Sequence, residues 1–334
     1  MKLLITGGAG FIGSHTCLQL LCKGYDLHVI DSLENGLLDT LREVEKLAEK
    51  PIGFTKVDIR DEKKLSLVFK EFSPDAVFHF AALKSVVDSF SKPDHYYDVN
   101  VKGTSVLLKL MAMSECNKIV FSSSATVYGD PVYLPCDELH PTNPKSPYGQ
   151  TKLAGEELIS KWVTEYDKRK GVVLRYFNPV AADESGRIGE NYKGCQNNLM
   201  PIISKVVSGL ITTVNIYGSD YPTIDGSAVR DYIHVKDLAF AHICALERMT
   251  ELEPYEIINV GTGHGISVVQ LINEFEKQSG QKISSRFSSR RPGDPAKVWA
   301  DVDKALEKLH WSASKDLGEM CYDTWNWIQN DKSI

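Results

Sequence analysis

The chain has 334 residues, 43% hydrophobic and 25% charged, an ordinary globular composition long enough for one large domain or two moderate ones. A net charge of -6 argues against a nucleic-acid partner, and no apolar run approaches the ~20 residues of a membrane span. Seven cysteines, an odd number without a C-x-x-C pair, indicate neither a disulfide framework nor a zinc knuckle, and no signal segment precedes the first strand pattern, so no metal and a reducing, cytoplasmic setting are expected.

Residues 2–6 form an apolar strand pattern that runs directly into Gly7-Gly8-Ala9-Gly10-Phe11-Ile12-Gly13 and a helix over 11–23. Glycines spaced G-x-x-G-x-x-G let the backbone turn tightly and approach a phosphate, and the helix points its first N–H groups and positive dipole end at it. A second strand, 27–31, ends in Asp31, 18 residues past Gly13. That is close to the spacing of about 20 residues expected for a carboxylate that grips a ribose diol.

The alternation continues: helix 37–49, strand 52–57 leading to Asp58, helix 61–72, strand 75–80 ending in Ala81-Ala82, a long helix over 95–115, strand 118–121, a long helix over 147–168 and strand 172–177. Strands separated by helices of this length imply right-handed crossovers and a doubly wound parallel sheet, an α/β fold of Rossmann type. Its ligands sit beyond the C-terminal ends of the strands. After Phe177 the rhythm breaks. Strand patterns near 214–217, 256–260, 282–287 and 298–301 fall between helices near 199–209, 235–249, 267–279 and 315–329. This predicts a dinucleotide-binding domain over 1–177 and a smaller mixed α/β lobe over 178–334, some segments of which return to the first domain. The cleft between them is the expected ligand site.

Tyr148 and Lys152 stand at i and i+4 on one helix face. A free tyrosine titrates near ~10 and is a poor base at neutral pH. A fixed ammonium, together with a cationic ring nearby, favours the phenolate and suits it to acid–base work on an alcohol. The same spacing recurs in Tyr166…Lys170 and Tyr232…Lys236. The first lies in a basic helix tail and the second where a strand passes into a helix. Only Tyr148 follows a serine cluster at a strand end, Ser122-Ser123-Ser124. Its hydroxyls either bond a reacting oxygen or satisfy their own turn.

These elements resemble the extended short-chain dehydrogenase/reductase family and, within it, the UDP-hexose 4-epimerases. The likeness extends through His79–Lys84, Phe121–Gly129, Leu174–Pro179, Asn197–Pro201, Asp220–Thr223 and Val229–Val235, nearly the whole chain. It implies NAD as cofactor, with Gly7, Gly10, Phe11, Ile12 and Gly13 at the diphosphate and Asp31 on the adenosine ribose. Asp58 and Ile59 line the adenine site, and Phe80, Ala81, Ala82, Lys84, Ser122 and Phe177 complete the cofactor surface. It further implies Tyr148 as the base, Lys152 on the nicotinamide ribose and Ser124 on the sugar 4-oxygen. Lys84, Asn178, Asn198, Leu199, Tyr217, Arg230, Arg291, Asp294 and Val298 then surround a UDP-sugar. Two arginines suit a diphosphate, which takes planar bidentate donors.

The implied reaction is redox-neutral: oxidation at C4, turning of the 4-keto sugar, and reduction from the other face. Related 4,6-dehydratases carry an Asp-Glu pair after the serine where this chain has Ala125 and Thr126. Redox sensors of this fold lack the base or the lysine, and this chain keeps both. Val298 stands where some relatives have a bulky tyrosine. It either leaves room for a 2-acetamido group or merely packs. Ala181 replaces a common glycine, and its methyl is expected to narrow the sugar pocket. The helices near 95–115 and 147–168 resemble those of a family homodimer interface. Leu107, Leu110, Met111, Leu153, Leu158 and Ile159 face either a partner or their own sheet.

Overall fold

A computed structural model of the chain describes residues 1–191, 198–291 and 293–330; Cys195, Asn197 and Pro292 lie outside the described residues. The strands are β1 (Lys2–Thr6), β2 (Asp26–Asp31), β3 (Gly53–Lys56), β4 (Ala76–His79), β5 (Lys118–Ser124), β6 (Lys170–Tyr176), β7 (Asn178–Val180), β8 (Val214–Tyr217), β9 (Val229–Arg230), β10 (Tyr232–His234), β11 (Tyr255–Val260), β12 (Ile266–Ser267), β13 (Ser285–Ser288) and β14 (Lys297–Val298). The helices are α1 (Phe11–Cys22), α2 (Leu38–Ala48), α3 (Glu62–Phe72), α4 (Val86–Ser91), α5 (Pro93–Tyr97), α6 (Gly103–Met113), α7 (Pro147–Thr164), α8 (Leu199–Val207), α9 (Val235–Arg248), α10 (Val268–Ser279), α11 (Asp303–Leu309) and α12 (Leu317–Asn330).

Seven strands form one parallel sheet in the order β11-β6-β5-β4-β1-β2-β3. Its strands are apolar on both faces because helices cover both. Leu3, Ile5, Val29, Phe78, Val120 and Leu174 pack under α1 and α9, while Leu4, Ile30, Val77, Ile119, Phe121 and Val173 pack under α3, α6 and α7. Strand order reverses between β1 and β4, so the crevice opens beyond their C-terminal ends.

Local signals set the helix starts. Asp61 accepts from Lys64 N at the start of α3, and Ser146 accepts from Gly149 N at the start of α7, where Pro147 occupies the first turn. Ser267 and Gln270 form a reciprocal capping box on α10, which ends at Gly280 with φ +67°.

The structure departs from the sequence expectation at 95–115, which is not one α-helix: α5 and α6 flank a π-helical stretch, Asp98–Lys102. The wider turn aims Asn100 inward, where its Oδ1 accepts from Leu83 N at 2.8 Å and its Nδ2 donates to Thr151 Oγ1 at 2.9 Å, tying the loop after β4 to α7. Two segments beyond residue 177 belong to the main sheet's layers. β11 extends its edge beside β6, and α9 packs on α1, where Gln19 Nε2 donates to Lys236 O at 2.8 Å.

Of the two alternatives for the apolar residues of the long helices, most take the second. Leu107, Leu110, Met111 and Ile159 are buried against the chain's own sheet, so they do not supply an outward apolar face. The smaller remainder packs around Ile203, Val214, Ile216, Leu271, Phe275 and Trp327, with β8–β13 and β12-β9-β14 as short sheets. Among the described residues no helix is long and apolar enough to cross a membrane.

Candidate active site

The loop after β1 is as tight as its glycine spacing predicts. Gly7 has φ +71°, and a Cβ there would lie 2.6 Å from Ala81 N; a Cβ on Gly13 would lie 2.4 Å from Gly7 O. Gly10 precedes α1, whose first turn carries no acidic residue and, among the described residues, no side-chain cap. Phe11 and Ile12 follow in that turn. The helix therefore presents free N–H groups and its positive end to the crevice. Asp31, at the end of β2, accepts from Ala9 N at 3.1 Å and Leu33 N at 2.8 Å. Burial raises its pKa, and those two amides oppose the shift.

Asp58 is held by Arg60, whose Nε donates to Oδ1 at 2.9 Å and whose other end reaches Asp98 at 2.5 Å. Its carboxyl is kept low chiefly by that guanidinium. Ile59 is buried under Gly103, whose missing Cβ would lie 2.4 Å from Ile59 Cδ1. Ala81 N donates to Thr6 Oγ1, Ala82 continues the same turn, and Phe80 lies against His242 with ring centroids 4.8 Å apart. Lys84 pairs with the buried Glu190 at 2.8 Å.

The ends of β5 and α7 meet on the other side of the crevice. Tyr148 is buried, with its ring among Leu83, Tyr96 and Val99, and Ser124 lies close enough to favour its phenolate. Ser124 Oγ also accepts from Thr126 N at 3.2 Å and Thr126 Oγ1 at 3.0 Å. Lys152 Nζ donates to the Ser122 carbonyl at 2.7 Å and lies 5.9 Å from the Tyr148 ring centroid. Burial dominates both titrations: Tyr148 is pushed up to about 12, opposed by Ser124, and Lys152 is brought down to about 7, opposed by Glu156.

The expected lowering of the phenol depends on a cationic ring as well as the lysine; in the chain alone burial is the dominant effect and it raises the phenol. The other two Tyr/Lys pairs form no such site. Tyr166 is exposed and Lys170 Nζ donates to Leu252 O, while Tyr232 and Lys236 fall on β10 and α9.

The remaining candidates line the smaller part. Phe177 and Val298 are buried together with Val127, Tyr128, Cys136 and Ala300, so Val298 is a packed wall residue, in register with Arg230. Asn178 N donates to Asp231 O, Asn198 precedes α8, and Leu199 opens it, half-buried. Arg230 pairs with Asp294, and the Arg291 guanidinium stacks 3.9 Å over the Tyr217 ring. Ala181 adopts φ +77°, so it keeps the backbone a glycine takes freely. It lines a cavity of about 170 Å³ with Met200, Pro201 and Trp327.

Residues 4–324 match the family described as GDP-mannose 4,6 dehydratase. UDP-glucose 4-epimerase 2 of Arabidopsis thaliana is 47% identical over 334 residues, spanning 99% of this chain and 95% of the relative. This chain belongs to the UDP-glucose 4-epimerase family. The members are isomerases of the extended short-chain dehydrogenase/reductase group. The epimerase from Stenotrophomonas maltophila, solved with NAD and a formylated UDP-arabinopyranose, superposes with TM-score 0.96 at 43% identity, over 99% of this chain and 98% of its own. The Bifidobacterium longum epimerase, solved with NAD+ and UDP, gives TM-score 0.95 at 43% identity over 99% of both chains.

A dinucleotide fits the crevice of this family member. Any Cβ on Gly7 or Gly13 would block the backbone approach, the α1 N-terminus is uncapped, and Asp31 stands at the end of the neighbouring strand. The family's dehydratase branch does not describe its chemistry. Ala125 and Thr126 occupy the turn after Ser124, and neither side chain can exchange a proton at neutral pH.

Sequence reading passed over Glu156 and Asn100. An acid one turn beyond Lys152, and an arginine inside the apolar run Val172–Tyr176, were the available signals for the first. Nothing in the periodicity marks the second.

Proposed function

We propose that this family member interconverts UDP-galactose and UDP-glucose by oxidation at C4, turning of the 4-keto sugar and reduction from the opposite face. The observation that carries it is the trio at the ends of β5 and α7: Tyr148 beside Ser124, with Lys152 held beneath by the Ser122 carbonyl. Tyr148 accepts the proton of the sugar 4-hydroxyl and later returns it to the opposite epimer. Ser124 hydrogen-bonds the same oxygen and keeps it within reach of the phenol. Lys152 binds the nicotinamide ribose and stabilises the phenolate. Bound there, NAD would supply the hydride acceptor and donor for C4, and its positive ring would offset the burial that holds Tyr148 high.

Gly7, Gly10, Phe11, Ile12 and Gly13 cradle its diphosphate, and Asp31 takes the adenosine ribose and repels a 2′-phosphate, so NAD is preferred over NADP. Asp58 and Ile59 flank the adenine, while Phe80, Ala81, Ala82, Lys84, Ser122 and Phe177 line the rest. The substrate is held by Arg230 and Arg291 at the diphosphate, by Asn178, Asn198, Leu199, Tyr217 and Asp294 around the nucleotide and sugar, and by Val298 at the sugar wall.

Purified protein is expected to convert UDP-galactose to UDP-glucose with no net change in NADH absorbance. The small Val298 favours turnover of UDP-N-acetylglucosamine and UDP-N-acetylgalactosamine as well. Product analysis by chromatography on the four UDP-sugars tests both: no hexose turnover ends the proposal, and hexose turnover alone removes the wider scope.

A homodimer forms by apposing α6 and α7 on two copies, using half-buried Val106 and Leu158 and exposed Met113 rather than the buried leucines. Light scattering is expected to give twice the 37.3 kDa chain mass; a monomer mass overturns it.

A further inference from the structure

A buried carboxylate that the proposed reaction leaves unused lies one helical turn beyond Lys152. Glu156 is 2% exposed and Arg175 is 3% exposed. The Arg175 fork closes on it, with Nε to Oε1 at 3.0 Å and Nη2 to Oε2 at 2.6 Å. Ser123 Oγ donates to Oε1 as well. Register explains the convergence: Ser123 on β5 is paired directly with Arg175 on β6, so both donors project on one face of the sheet, under α7. Tyr255 on β11 adds a bond from its hydroxyl to the Glu156 carbonyl at 3.1 Å. One carboxylate thus joins β5, β6 and α7.

What it joins matters because of Ser123's neighbours. Ser122 supplies the carbonyl that takes Lys152 Nζ at 2.7 Å, and Ser124 supplies the hydroxyl beside Tyr148. Side chains alternate along a strand, so fixing Ser123 fixes where both neighbours point. We propose that Glu156 is a positioning residue for epimerisation: clamped by Ser123 and Arg175, it holds the β5 end against Lys152 and Tyr148 and supplies the counter-charge for the Lys152 ammonium. This rests on the reading of Tyr148 and Lys152 given above.

The groups around Lys152 agree with that role. His79 on β4 is neutral, brought down to about 3 by burial. Phe121 and Tyr148 present rings at 5.2 and 5.9 Å. Arg175 on β6 is a second cation in the same region, and Tyr255 on β11 is pushed upward by burial. Glu156 is the carboxylate whose charge opposes the burial that lowers Lys152. Without it, two cations share the site with no counter-charge, and Lys152 deprotonates at lower pH.

Three variants separate charge from geometry. Glu156→Gln is expected to lower kcat about a hundredfold, with KM for UDP-glucose nearly unchanged, and to move the alkaline limb of the kcat–pH profile down by about one unit. Glu156→Asp keeps the charge and shortens the reach, so kcat falls while the alkaline limb stays in place. Ser123→Ala removes one leg without touching a charge; kcat falls about tenfold, again with no shift of the limb. Direct titration of Lys152 by NMR of lysine carbon-13-labelled at Cε, assigned with Lys152→Met, reads the charge effect without substrate or turnover.

A lowered Lys152 titration in Glu156→Gln supports the proposal even if the wild type fails to epimerise, an outcome that would instead end the functional reading. If Glu156→Gln does not fold, the reduced kcat of a folded Ser123→Ala with unchanged thermal unfolding carries the geometric half. Wild-type kcat and an unmoved Lys152 titration in Glu156→Gln, or wild-type kcat in Ser123→Ala and Glu156→Asp together, overturn it.

Discussion

Tyr148→Phe is expected to lower kcat for UDP-galactose and UDP-glucose interconversion about a thousandfold while leaving UDP binding intact. The ring survives the change. It packs with Leu83, Tyr96 and Val99, and phenylalanine fills the same space, so the fold has no reason to move. The partner left behind is also provided for: Ser124 Oγ keeps its bonds from Thr126 N and Thr126 Oγ1, so no buried polar group is orphaned. What is lost is the one group that can take and return the 4-hydroxyl proton.

The pH dependence carries the same signature. Burial raises the phenol in the chain alone and bound NAD opposes it, so the wild-type rate is expected to fall toward acid as Tyr148 takes up its proton, on the acid side of the limb set by Lys152. The residual rate of the variant is expected to be flat on that acid side. Calorimetric titration with UDP and a pH series of initial rates check both parts. A variant with wild-type kcat, or one whose rate still climbs with pH as the wild type's does, removes Tyr148 from the role of base.

The parts of this site that could be read from sequence are those fixed by local geometry. A glycine turn between a strand and a helix has one backbone solution, and the clashes at Gly7 and Gly13 are the physical content of the spacing. Tyr148 and Lys152 share a helix face whatever surrounds them. The parts that could not be read depend on partners distant along the chain. β11 joins β6 from some 80 residues away, and nothing in Tyr255–Val260 says which sheet edge it will extend. The six-residue α4 is too short for a period to show, and the π-helical turn at Asp98–Lys102 has the same residue types as an α-helix.

The direction of the Tyr148 shift belongs to this second kind. Sequence places a lysine beside the phenol, but burial is a property of the whole fold, and here it is the larger effect. Glu156 is the opposite case. Its clamp spans β5, β6 and α7, yet an arginine in the middle of an apolar strand demands a buried anion, and the acid one turn past Lys152 is one candidate for it.

Arg230→Met is expected to raise KM for UDP-sugars about a hundredfold with kcat changed little, the pattern of a lost uniform binding contact. The diphosphate sits remote from C4, and its charge is the same in ground state and transition state. Arg230 Nη1 donates to Val229 O at 2.7 Å and its other end pairs with Asp294, so the fork is held in place before substrate arrives. Each charge-assisted bond to a phosphate contributes about 1.5–3 kcal/mol. Removing the guanidinium also leaves the Asp294 carboxylate unneutralised beside an incoming dianion, which adds repulsion to the loss. Arg230→Lys restores the charge but not the planar fork, and an intermediate KM is expected. Arg291 is held by stacking on Tyr217 rather than by an acid, so Arg291→Met lacks the repulsive part and should raise KM less. Steady-state kinetics with inhibition by UDP separates these effects, because Ki for UDP should move in step with KM across the series. A fall in kcat as large as the fall in kcat/KM would place Arg230 in the chemical step instead.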